Sequence, residues 1–147
     1  MSGALQADAR LVVDRFVRAI NEHDLEAIVS CFAPDYNDVE PAHPTRQISG
    51  GAEVRKRWGT VLDSLRDFRT EVERVVVEGE TAWIEHDWSG TRTDGTRLHL
   101  RGVNIFGIRD AQFAWGHIYM ETVEEDGIDI EERVRRMAEG DPAAGDS

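Results

Sequence analysis

The sequence predicts one α+β domain, a cone-shaped, curved antiparallel sheet packed against three N-terminal helices. Three observations carry that expectation. Apolar residues recur every three or four positions as far as Leu65. After Asp67 the period falls to two and stays there for more than fifty residues. Turn signals then divide this second half into four strands. Helices followed by a long meander must bury one sheet face, and a sheet that curls beneath them encloses a conical pocket.

Leu5, Ala9, Val12, Val13, Phe16, Val17 and Ile20 share one helical face, so the opening helix runs to about Ile20. Asp24 stands at the N-cap of a short second helix carrying Leu25, Ile28, Val29 and Phe32, which Pro34 ends. The next segment mixes an alternating stretch with prolines and predicts a short strand at 35–39 followed by a loop. Val54, Trp58, Val61, Leu62 and Leu65 make a third amphipathic helix, with Gly50 and Gly51 at its start and Glu53 in its first turn. Strands at 68–77, 81–92, 96–108 and 112–123 follow, joined by Glu78-Gly79, Asp94-Gly95 and Arg109-Asp110-Ala111. Ile130, Val134 and Met137 mark a last short helix, supported by Glu131 with Arg135 and Glu132 with Arg136. The domain is expected over 1–138, with 139–147 a mobile tail.

Composition narrows the function. The 147 residues carry a formal charge of −12, and Lys56 is the only lysine, so a phosphate backbone or an anionic membrane surface is not an expected partner. Residues 121–147 hold −7 of that charge, which leaves the body closer to neutral. The single cysteine, Cys31, lies on a helical apolar pattern and reads as a small buried hydrophobe. The five histidines show no short paired spacing, so no metal site is expected. No membrane span or signal-peptide core is evident, and a cytoplasmic location is expected. Four Trp, five Phe and two Tyr can line an aromatic cavity.

Counting outward from two-residue turns sets Trp88 opposite Arg101, His86 opposite Val103 and Ile84 opposite Ile105. From the last turn, Val103 falls opposite Ile118 and Arg101 opposite Met120. One face then carries Ile84, His86, Trp88, Arg101, Val103, Ile105, Ile118 and Met120, mostly apolar with a few polar groups, as a ligand cavity requires. The other face carries the row Trp83, Phe106 and Trp115, and beside it Glu85, Asn104 and His117. So much aromatic surface predicts a homodimer joined there. One β-bulge would exchange the faces beyond it.

The segments FVRAINEHDLEAIVSCFAPDY, ISGGAEVRKRW, DFRTEVERVVVEGETAW and GVNIFGIRDAQFAWGHIYME resemble the nuclear transport factor 2-like superfamily over about residues 5–123. The likeness is to its SnoaL-like branch, beside ketosteroid isomerases and limonene epoxide hydrolases. It implies the same cone (a cystatin-like fold), commonly dimerised through the outer sheet face. In the epoxide hydrolases a Tyr-x-Asn, an Arg-x-Asp and a last-strand Asp activate water. Tyr36-Asn37-Asp38 is similar to the first element, but His86 and Trp88 stand at the second and Ile118 at the third. The ketosteroid isomerase acid falls on Val103 and its pocket Trp on Met120, while the acid of SnoaL-like cyclases falls near Ile118. Neither epoxide hydrolysis nor a steroid double-bond shift is therefore expected.

The polar groups left inside set the chemistry. His86 is either the principal acid or base or a core histidine bonded to a neighbour, with Glu73 counted opposite it. Asp38 and Glu40 could serve as bases if desolvated. Tyr36 could orient substrate and Trp58 could wall the pocket, or both could be core. Arg101 could hold an oxyanion or form a rim salt bridge to Glu71. His43 and Arg46 sit in the loop that could overhang the mouth. The expectation is a cofactor-independent isomerase-, cyclase- or lyase-type enzyme for an apolar small molecule, or a non-catalytic binding or dimerisation module of the same fold. Its ligand-binding residues would be Trp58, Trp88, Ile118, Met120, Val103 and Glu40.

Overall fold

A computed structural model describes residues 2–140. The elements are α1 (Ser2–Asn21), α2 (Leu25–Ser30), β1 (Phe32–Glu40), β2 (His43–Ser49), α3 (Gly51–Ser64), β3 (Arg69–Glu78), β4 (Thr81–Thr91), β5 (Arg97–Arg109), β6 (Gln112–Thr122) and α4 (Ile130–Glu139). The six strands form one curved, unclosed sheet in the order β2-β1-β6-β5-β4-β3. β3 to β6 are the expected meander, but β1 joins β6 in parallel, so the sheet is mixed. The Leu5 side chain and the tail residues 141–147 lie outside the described residues; Glu139 ends α4 and Gly140 caps it.

The apolar stripe of α1, from Ala9 through Val12, Val13, Phe16, Ala19 and Ile20, is fully buried. Phe16 is its centre, meeting Phe32, Trp58, Phe106 and Phe113 edge-on with ring centroids 5.2–5.8 Å apart. Asp24 caps α2 by accepting from the Ala27 amide at 3.1 Å, and Cys31 is buried. Ser49 donates its amide to Glu53 at 3.0 Å across the start of α3. The end of α1 is tied to β3: Asn21 exchanges two hydrogen bonds with the Thr70 backbone, at 3.0 and 2.8 Å. That clamp fixes Thr70, which reaches the site.

β2 replaces the loop expected before α3. It is an edge strand, and Pro44, which has no amide hydrogen, lies between His43 and Gln47, where the pairing to β1 is irregular. Pro34 likewise lies within β1, in the stretch where pairing to β6 lapses between Phe32 and Asn37.

The largest departure concerns β5, whose two faces are the reverse of those counted from the sequence. The β4–β5 connection is a three-residue loop, not a two-residue one. The Arg92 amide donates to Thr96 O at 2.8 Å, the Gly95 amide to Arg92 O at 2.9 Å, and Gly95 takes φ +87°, a conformation glycine adopts without strain. This sets His86 opposite Gly102 and Ile84 opposite Asn104. On the other side the count from the turn holds as far as Ile108 opposite Phe113. A bulge at Ala114 then moves Gly107 opposite Trp115 and Asn104 opposite Ile118. The two offsets cancel between β4 and β6, so Ile84, His86, Trp88, Ile118 and Met120 remain inside.

Arg101, Val103 and Ile105 therefore belong to the outer face, and Phe106 and Asn104 to the inner one. Phe106 is 2% exposed and stacks on Phe113 at 4.0 Å, so it cannot join an outer aromatic row. Burying that ring is worth about 2–3 kcal/mol, which favours the observed phase. A third irregularity bulges β3 at Glu73, leaving Val72 opposite His86.

Candidate active site

A cavity of about 490 Å³ opens between α3, β1, β2 and the inner sheet face. Phe16, Phe32, Trp58, Val61, Leu65, Phe68, Leu98, Leu100, Phe106 and Ile118 make most of its wall. Tyr36, Asp38, Glu40, Trp88 and Asn104 bring the polar atoms, with Thr45, Arg46, Gln47 and Arg57 toward the surface. A second chamber of about 340 Å³ adjoins it and shares Glu40, Arg46, Trp88, Leu100 and Ile118 as walls; Met120 lines this one. Trp58 meets Trp88 edge-on at 6.1 Å.

The period of β1 turns Tyr36, Asp38 and Glu40 inward together. Tyr36 is 1% exposed and donates its hydroxyl to Asp38 Oδ2 at 2.6 Å. Space for that hydroxyl comes from Gly116, opposite Asp38 on β6, where a Cβ would stand 2.5 Å from the Tyr36 oxygen. Burial raises the Asp38 pKa above the ordinary carboxylate range, while the Tyr36 hydroxyl and the Ile48 amide pull the other way. Burial also drives the Tyr36 pKa far up, with the Asp38 charge adding to it, so the phenol remains a donor. The result is a desolvated carboxylate held in one orientation inside an apolar cavity.

His86 is fully buried but does not line the cavity. Its Nε2 lies 2.8 Å from Asn104 Oδ1 and its Nδ1 2.8 Å from Thr70 Oγ1. A carbonyl oxygen only accepts, so Nε2 carries the proton and Nδ1 accepts from the threonine hydroxyl. Burial pushes the His86 pKa down to about 4, against the opposing pull of Asn104 and of the Asp87 charge. The imidazole is neutral with both nitrogens engaged. It positions Asn104; it has no nitrogen free to act as the principal acid or base.

Asn104 is what the register of β5 brings inside, beside Trp88, which stands on the inner face as expected. Three buried side-chain polar atoms among the described residues lack a hydrogen-bond partner: Trp88 Nε1, Asn104 Nδ2 and Asp87 Oδ1. The last lies 2.6 Å from Arg101 Nε in an ion pair, so it is compensated. The first two are N–H donors on cavity-lining residues. Leaving a buried donor empty costs about 1–3 kcal/mol, and a ligand acceptor would remove that cost. The signal available in the sequence was Gly95, whose place in a three-residue loop sets the phase of β5.

Arg101 pairs with Asp87 at 2.6 Å and with Glu73 at 3.3 Å on the outer face, so it is neither a cavity residue nor a partner of Glu71. Val103 lines an outer groove with Trp83, and the inward side chain at the level counted for it is Asn104. Glu40 bonds Arg46 at 3.0 Å and His43 lies 3.2 Å from Glu121, both at the mouth. No group of three or more His, Cys, Asp or Glu among the described residues could hold a metal ion. No described helix is long and apolar enough to cross a membrane.

The profile of the SnoaL-like domain matches residues 13–115. No curated protein matches the chain in sequence. Among solved structures, a limonene-epoxide-hydrolase-like epoxide hydrolase of M. tuberculosis is 14% identical and superposes with a TM-score of 0.68, over 91% of this chain and 92% of that one. A putative ketosteroid isomerase from Kribbella flavida is 18% identical with a TM-score of 0.66, over 86% and 87%. A putative polyketide cyclase from Sinorhizobium meliloti is 21% identical with a TM-score of 0.59, over 75% and 93%. At these identities the likeness is one of fold.

Proposed function

Since the chain belongs to the SnoaL-like domain family, whose fold hosts several chemistries, we propose that it is a cofactor-independent enzyme of isomerase or cyclase type, acting on an apolar carbonyl compound by proton transfer. The observation that carries this reading is the pairing, in one apolar cavity, of a desolvated carboxylate with two empty buried donors. Asp38 removes a proton from the carbon next to the carbonyl. The Trp88 indole and the Asn104 amide donate to the oxygen as it gains negative charge. Tyr36 holds Asp38 in place and His86 holds Asn104. Burial suits Asp38 to the task, because a carboxylate with a raised pKa is a stronger base.

The test uses 2-tetralone, an apolar ketone with acidic α-hydrogens, in D2O. The wild type should speed deuterium uptake beside the carbonyl, and Asp38→Asn should lower that rate by about 10²- to 10⁴-fold. Saturable binding of 2-tetralone without accelerated exchange would replace this reading with that of a binding module, which needs the cavity's shape alone.

We also infer a homodimer through the outer sheet face. Val76, Trp83, Trp115 and Tyr119 are 38–53% exposed there on β3, β4 and β6, with Val103 and Ile105 of β5 between them. So many exposed large apolar side chains on one face support its burial against a second copy.

A further inference from the structure

We propose that the cavity selects carbonyl compounds bearing an anionic group at the end remote from the carbonyl, and that Arg57 recognises that group. The inference rests on the acid/base reading for the carbonyl end only. Four charged side chains line the cavity: Asp38, Glu40, Arg46 and Arg57. Asp38 is spoken for by Tyr36 at 2.6 Å, and Glu40 and Arg46 compensate each other at 3.0 Å. Arg57 makes no hydrogen bond or ion pair among the described residues. Its neighbour on α3, Arg55, is fastened to Glu26 by two bonds. Arg57 is thus the one cation on the cavity wall without an anionic partner among the described residues, in a chain whose formal charge is −12.

Position gives that charge its meaning. Tyr36, Asn104 and Phe106 at the floor are buried, whereas Thr45, Arg46, Gln47 and Arg57 are exposed and form the mouth. Polarity therefore runs along the cavity, from the carboxyl and two N–H donors inside, through aromatic wall, to a guanidinium at the rim. A ligand whose carbonyl meets Trp88 and Asn104 and whose body fills the middle projects its far end toward α3 and β2. A neutral far end gains little there. A carboxylate gains charge-assisted hydrogen bonds from a planar donor fork, beside a low-dielectric wall where they weaken least.

The probes are 6-hydroxy-2-naphthoic acid and its methyl ester, each with a hydroxyl for the inner donors at one end, and with or without charge at the other. Titration is followed by naphthol fluorescence. At low salt the wild type should bind the acid about fivefold to tenfold more tightly than the ester, and this preference should shrink at 0.5 M salt. Arg57→Gln should bring the acid down to the affinity of the ester, and Arg57→Lys should keep part of the preference. Lys56→Gln removes the same charge from a residue that does not line the cavity, and should keep all of it. Equal binding of acid and ester by the wild type, or a preference that survives Arg57→Gln, would overturn the anion inference alone. Failure of the wild type to bind either probe would overturn it together with the assignment of the inner donors.

Discussion

His86 donates from Nε2 to Asn104 Oδ1 at 2.8 Å, and that single bond leaves the amide nitrogen of Asn104 without a partner. Thr70, itself clamped by Asn21, fixes the imidazole from the other side at 2.8 Å. A chain of four polar side chains thus runs from the end of α1 to the inner sheet face. It serves to aim one N–H.

The chain predicts a pH dependence of stability with a defined sign. The His86 pKa is near 4 in the folded protein, against an ordinary value of 6.5. Between these values the unfolded chain binds the proton and the folded one does not, so the contribution is complete above about pH 6.5 and is lost as pH falls toward 4. The full difference is about 3 kcal/mol. Asp38, with its raised pKa, acts in the opposite sense. Urea unfolding of wild type and His86→Gln at pH 7.5 and 4.5 isolates the histidine, and the mutant should lose less stability between the two.

Trp88→Phe should keep an aromatic wall while removing the indole N–H together with the fused five-membered ring. Binding of 2-naphthol, followed by fluorescence, should weaken by about threefold to tenfold, the worth of one neutral hydrogen bond. Unchanged affinity would show that the indole does not meet the ligand oxygen. Asn104→Leu is a harsher change, since it also strands His86 Nε2 in the core.

Tyr36→Phe should raise the Asp38 pKa further, because the lost hydroxyl is one of the groups holding it down. Carbon-13 NMR of the Asp38 carboxyl reads this directly, and the acid limb of the 2-tetralone exchange rate should move to higher pH with it. Gly116→Ala should have a related effect by crowding the same hydroxyl, with about 1–3 kcal/mol of lost stability in urea unfolding.

Trp83→Asp should convert dimer to monomer in sedimentation velocity while leaving the circular dichroism spectrum unchanged, since Trp83 is 46% exposed and lies outside the core. A dimer that persists in Trp83→Asp would place the interface on another surface.

Much of the fold was legible because it rests on periodicity. The buried stripe of α1, the Asp24 cap and the four long strands all follow from residue spacing. What escaped depends on single residues in strand pairing. An Asp-Gly pair fits both a two-residue hairpin and the three-residue loop found here, and the hydrophobic pattern of β5 cannot arbitrate. Val103 and Ile105 are as apolar as Phe106, and Asn104 looks like an outer polar residue. Asp38, Tyr36, Trp58 and Trp88 nonetheless line the cavity, because β1, α3 and β4 keep the phase that their sequence implies. The roles of His86 and Arg101 needed the register of β5, which also decides who their partners are.

Surface hairpins are ordinarily the places where a chain accepts insertions and deletions most readily. The loop from Arg92 to Thr96 should be an exception. Removing one residue from it would leave the two-residue turn that the sequence superficially suggests, and β5 would have to slide by one position against β4. Arg101 and Val103 would then be driven into the cavity, while Phe106 and Asn104 were turned to solvent. Composition at Thr93 can therefore vary widely, whereas the length of this hairpin is held by a parity rule that acts more than ten residues away, at Phe106.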